Sequence, residues 1–167
     1  VDYKNLTDVY MDAVFHPNIY TREQIFKQEG WHYELENVDA PLTYNGVVYN
    51  EMKGAFSSPT QRVYRMGLNS LYPDTPYATE SGGDPEFIPD LSYEQFLNFH
   101  KTLYHPANSY IYVYGNCDME ERLEYFDREY LGNYDEIKVD SDISHQKPFD
   151  KQGRVEGVYS VTEEEGT

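Results

Sequence analysis

The chain has 167 residues, with thirteen Lys and Arg against thirty Asp and Glu, a formal charge of −17, eighteen tyrosines and one cysteine. Such a charge repels nucleic acid and anionic lipid surfaces, so neither is expected as a partner. Cys117 alone excludes an internal disulfide or a zinc–thiolate cluster and fits a reducing compartment, and no apolar run approaches the ~20 residues of a membrane span.

Val, Ile, Leu and Phe make up only about a fifth of the residues, near the limit below which charge-rich chains stop folding. The tyrosines compensate, since their rings supply buried area while their hydroxyls stay wet. In chain order, Leu6, Val9, Tyr10, Ala13 and Val14 recur at helical spacing and Pro17 stops the run, predicting a first helix. Thr21 and Gln24 read as a capping box for a short helix through Lys27 that Gly30 ends. Trp31, Tyr33 and Leu35 alternate with His32, Glu34 and Glu36 as a half-buried strand would, and Leu42 to Tyr44 is a candidate second strand.

The chain is organised around Asn45 to Phe56, NGVVYNEMKGAF. After the Asn45-Gly46 turn signal, Val47, Val48, Met52, Ala55 and Phe56 make one apolar helical stripe. Glu51 lies about 40° from Ala55 and about 60° from Val48 at roughly 100° per residue, so it is expected to border the buried side. A carboxylate there needs a partner, which could be a Lys or Arg, backbone donors or a metal ion.

Ser58-Pro59 supplies an N-cap and first-turn proline for a further helix through Val63, Met66, Leu68 and Leu71. Pro73 to Leu91, with Gly82-Gly83 at its middle, reads as a long loop, either lid-like or a surface crossover packed on its own aromatics. Ser92 and Gln95 open a helix through Phe96, Phe99 and Leu103 that ends before Pro106. Tyr110 to Tyr114 alternates Ile111 and Val113 with tyrosines and predicts a strand. Asp118 and Glu121 cap a last helix carrying Met119, Leu123, Phe126 and Tyr130, closed by Gly132.

The order of elements, mostly helices with a few strands and no βαβ repeat, predicts an α+β fold with helices on one face of a mainly antiparallel sheet. Residues 1–132 read as the later part of such a domain, 133–153 as an acidic linker, and 154–167 begin with the first strand of a following domain, Arg154 to Thr162. Val1 leads straight into a helix and the chain ends on Glu163 to Thr167, so both ends are expected to be cuts through a larger protein.

Other chemistry finds little support. His100 and His105 sit about 140° apart round a helix and cannot share an ion as an i, i+4 pair would. His16 and His105 precede prolines at helix ends, where a histidine caps carbonyls or faces solvent. His32 lies on a strand's polar face and His145 in the linker, neither with a partner at ligand spacing. Cys117 has no histidine close in sequence to activate it as a nucleophile.

GVVYNEMKGAFSS, with GWHYELE before it and SGGDPEFIPDLSYEQFLNFHKTLYHPANSYIYVYGN after it, closely resembles the pitrilysin/insulinase family of zinc peptidases, in its presequence-peptidase branch. The resemblance runs in order from Leu6 to Leu131. It implies the α+β half-domain shared with the mitochondrial processing peptidases, present here in part, and it implies that Glu51 is the third zinc ligand. The first two ligands are the histidines of an inverted HxxEH motif, which this chain does not contain. The family's companion glutamate, seven residues before the ligand, is replaced by Tyr44, and Asn50 and Lys53 flank Glu51.

In the family, two histidines and a glutamate hold Zn²⁺ with a fourth position open for water, whose pKa the metal lowers to about 7. The resemblance therefore implies a segment of a zinc metalloendopeptidase that hydrolyses short unstructured peptides. Its partners would be those peptides and the rest of the peptidase, and the chain alone would be inert. The rival reading is a non-catalytic relative kept as a protein-interaction scaffold; an acidic module for cationic peptides rests on charge alone. A cytoplasmic setting is expected in bacteria, and is preferred, with the mitochondrial matrix expected in eukaryotes.

Overall fold

The computed structural model describes residues 2–159, which form six α-helices and a two-stranded antiparallel sheet. They divide into two compact units, one of residues 2–22 with 93–141 and the other of residues 23–92 with 142–159. The protein is thus α-rich with a small sheet, and the larger sheet expected from the sequence is not present among the described residues.

In the first unit, α1 (Asp2–Phe15) ends just before Pro17, as its spacing predicts. α5 (Tyr93–Leu103) follows Ser92, and α6 (Met119–Glu129) starts from Asp118, whose carboxylate accepts the Glu121 amide at 3.1 Å. That carboxylate satisfies one of the donors left free at a helix start. Tyr125, Phe126 and Tyr130 form the buried core, with Met11, Val113 and Leu131 packed against it.

A polar contact closes this core. The hydroxyls of Tyr125 and Tyr130 both donate to the Asp8 carboxylate, Tyr130 from 2.7 Å. These two hydrogen bonds, Tyr125 first, hold the Asp8 carboxyl below its ordinary value, because they favour the charged form. Burial and the same carboxylate push the Tyr130 phenol up, and the bond to Asp8 raises that of Tyr125.

A carboxyl whose pKa is lowered by folding contributes stability above its unfolded pKa and loses it as pH falls through the folded value. Asp8→Asn is therefore expected to lower the denaturant midpoint at neutral pH. It should also flatten the loss of stability that the wild type shows as pH drops below about 4. Urea titrations of both proteins across that range check it. A wild-type-minus-variant difference that does not shrink in acid would refute the assignment.

Tyr110 to Tyr114, expected as a strand, forms none. The alternation survives as facing, with Val113 packed on the core while Tyr112 and Tyr114 are 86% and 83% exposed. What is missing is a neighbour, since a strand exists only by its ladder of hydrogen bonds and no second strand lies alongside among the described residues. Thr21, expected to cap the helix that follows it, instead donates its hydroxyl to the Asn18 carbonyl at 3.2 Å and closes the 3-10 helix Asn18–Tyr20.

In the second unit, α2 (Glu23–Glu29) leads into β1 (His32–Glu34), which pairs with β2 (Thr43–Asn45) in the register His32 to Asn45, Tyr33 to Tyr44 and Glu34 to Thr43. β1 is shorter than the six residues of alternation suggest, and Tyr33 and Leu35 are exposed rather than half-buried. Tyr33 and Tyr44 instead meet across the hairpin, their rings tilted 34° with centroids 5.2 Å apart. α3 (Val47–Phe56) and α4 (Pro59–Leu71) follow, the latter capped by Ser58 with proline at its first turn.

The 73–91 segment is not bare loop. It carries the 3-10 helices Pro76–Ala78 and Ile88–Asp90, and Ile88 is buried, as are Phe26 and Met52 of the same unit. No strand forms over residues 154–159, and the rest of the Arg154 to Thr162 run lies outside the described residues.

Candidate functional site

The site predicted from the sequence rests on α3, and its geometry begins at Gly46. That residue takes φ 149°, a conformation L side chains rarely adopt, and its amide donates to its neighbour's Asn45 side chain at 2.8 Å. Three residues on, the Tyr49 amide donates to the Gly30 carbonyl at 3.3 Å, so the start of α3 rests on the end of α2. Asn45 further ties the corner together, donating to Glu34 and accepting from Asn50, each at 2.6 Å.

The helix then buries Met52, with Tyr49, Ala55 and Phe56 half-buried around it. Val47 and Val48 stay 52% and 37% exposed. The buried stripe is thus centred on Met52 and Tyr49 rather than on the valines. At roughly 100° per residue Glu51 lies about 130° from that centre. It is exposed, and has no hydrogen bond or ion pair among the described residues. This corrects the sequence reading in one respect: Glu51 does not border the buried side, and no desolvation forces a partner on it.

Four of the five histidines have structural partners, and the fifth, His145, is exposed. His100 donates from Nε2 to the Val14 carbonyl at 3.0 Å and accepts the Tyr20 hydroxyl at Nδ1 at 2.8 Å, stacked on Tyr104. His105 Nδ1 accepts the Ala107 amide at 3.1 Å as the cap of a 3-10 helix. His16 pairs with Asp12 at 3.2 Å, and His32 donates to the Lys27 carbonyl at 2.7 Å. Among the described residues no group of three His, Cys, Asp or Glu converges to hold a metal ion. These residues do not by themselves fit a zinc site. No described helix is long and apolar enough to cross a membrane.

Sequence reasoning missed the Asp8 contact and the Arg65–Glu80 ion pair at 2.9 Å. Asp8 lies 117 residues from Tyr125, so no local pattern joins them.

Over 98% of its length the chain is 54% identical to the protein HypA of Clostridium perfringens. It is 42% identical, over 95% of its length, to presequence protease 1 of Arabidopsis thaliana, described as chloroplastic/mitochondrial. Against the mitochondrial presequence protease of Drosophila melanogaster it is 40% identical along its whole length. A family model described as the peptidase M16 inactive domain matches residues 90–166. The chain is homologous to the M16 peptidases. Glu51 lies outside the matched stretch, and the chain spans only 15% to 17% of the length of these relatives.

Proposed function

We propose that this chain is part of a zinc-dependent endopeptidase acting on short, unstructured peptides, with Glu51 as one metal ligand and the other ligands outside the chain. The observation that carries this reading is identity of 40% to 54% sustained along almost the whole chain, to relatives two of which are named presequence proteases. The exposed, unpartnered Glu51 is compatible with it, since a carboxylate not spent on a neighbour is open to a metal held from elsewhere. Zinc, when bound, would polarise the scissile carbonyl and activate water. Residues 133–153 would link this region to a domain beginning near residue 154.

The α2–α3 corner offers a second carboxylate. Glu29 ends α2, next to the Gly30 carbonyl on which α3 rests, and its nearest partner is the Gln28 amide at 3.0 Å. The proposal gives the ligand role to Glu51, and Glu29 serves as its comparison.

The rival scaffold reading has one observation in its favour, the match of residues 90–166 to a domain described as inactive. Cleavage of an unstructured fluorogenic peptide by the longer protein containing this chain decides between them. Cleavage should be abolished by a chelator and restored by added zinc. A folded longer protein that cuts no such peptide with zinc supplied would favour the scaffold.

A further inference from the structure

The second unit holds a cavity of about 430 Å³ that no metal or peptidase role accounts for. Phe56, Met66 and Phe87 give it apolar walls, and Arg62 and Arg65 supply two guanidinium groups. Arg65 is fixed in place. Its Nε donates to Glu80 at 2.9 Å, its Cζ lies 4.4 Å from the centre of the Phe56 ring, and the side chain is only 15% exposed.

Arg65 Nη1 is buried and has no hydrogen-bond partner. Sealed from water, that nitrogen does not itself open onto the cavity, and no protein acceptor neutralises it. Glu80 and Asp84 also line the cavity and oppose an anion, but both are engaged, Glu80 with Arg65 and Asp84 with the Glu86 amide at 2.8 Å. Arg62 has no ion pair among the described residues, so its charge is uncompensated.

We propose that this cavity binds a carboxylate carried beside an apolar side chain, and that the C-terminal residue of a peptide supplies both. The carboxylate would take Arg62, with the fixed positive charge of Arg65 beside it, and a bulky side chain would lie against Phe56, Met66 and Phe87. The proposal deepens the peptidase reading, on which it rests, by giving peptides ending in an apolar residue a binding preference. An internal Asp or Glu next to an aromatic residue offers the same chemistry, and the test separates the two sources.

Fluorescence anisotropy of the 167-residue chain would compare three labelled decapeptides. One ends in Phe as the free acid, one is its C-terminal amide, and one is an amide with an internal Asp-Phe pair. The free acid should bind at least about tenfold more tightly than its amide, as expected for a charge-assisted hydrogen bond. Arg62→Gln should erase most of that difference and Arg62→Lys keep part of it. Arg62 is chosen because it has no partner to lose, whereas a change at Arg65 also breaks the pair with Glu80. Equal binding of acid and amide, a preference that survives Arg62→Gln, or tightest binding of the internal Asp-Phe peptide would each overturn the proposal. The assay involves no cleavage, so its failure would leave the peptidase reading to the chelator experiment.

Discussion

Glu51→Gln in the longer protein is expected to lower kcat/KM for peptide cleavage by more than about a hundredfold. That is the upper end of what disturbing even an outer partner of a metal ligand costs. An amide oxygen ligates zinc far more weakly than a carboxylate, so metal content should fall with activity. The fold should not change, because the side chain is exposed and has no hydrogen bond or ion pair among the described residues, and surface substitutions of that kind stay within about 0.5 kcal/mol. Zinc content, kcat/KM and melting temperature measured together therefore separate a ligand from a structural residue. Glu29→Gln is the comparison. A Glu51→Gln protein with full zinc, beside a Glu29→Gln protein without it, would move the ligand role to the end of α2.

Gly46→Ala should be the most damaging small substitution in the second unit. A Cβ at this position would lie 2.2 Å from the Gly30 carbonyl oxygen and 2.7 Å from the Trp31 Cα, which are backbone atoms that no side-chain rotation can clear. The φ of 149° adds strain of its own, of order 1–3 kcal/mol. Relief would require α3 to pull away from the end of α2 and break the Tyr49 to Gly30 bond. A loss of about 3 kcal/mol or more is expected, a large share of the 5–15 kcal/mol typical of a domain. Gly54→Ala in the same helix is the control. Nothing lies within 4 Å of its Cβ, so the change should stabilise by up to about 1 kcal/mol. Chemical denaturation of the two variants should move in opposite directions, and a Gly46→Ala midpoint equal to wild type would show the corner to be far more pliant than its geometry allows.

The helices were legible wherever the sequence carried both a spacing and a stop. Val47–Phe56, the Ser58-capped α4 and the Asp118-capped α6 all stand where their letters place them. Strands were legible only as candidates, because a strand depends on a partner that local letters do not name. The pair Thr43–Asn45 and His32–Glu34 found each other across a short connection, while Tyr110 to Tyr114, with the cleaner alternation, has no strand beside it among the described residues.

The Glu51 reading failed on a finer point. Counting Val47 and Val48 into the apolar stripe rotated the inferred buried face toward the glutamate, whereas packing chose Tyr49, whose ring meets Tyr44 edge-on at 5.9 Å. An aromatic ring with neighbours outcompetes two valines without them, and hydropathy alone does not rank that choice.

Trp31 is the chain's sole tryptophan. It lies in the second unit, its indole N–H donating to the Leu91 carbonyl at 2.8 Å and its ring edge-on to Tyr33 and Tyr44. Light absorbed by indole but not by phenol therefore interrogates one unit and leaves the other dark. Emission excited at the red edge follows the opening of the hairpin and of the 73–91 segment, while far-ultraviolet dichroism sums helices from both units. The offset between those two unfolding curves is a direct reading of how cooperatively the units melt, with no label introduced.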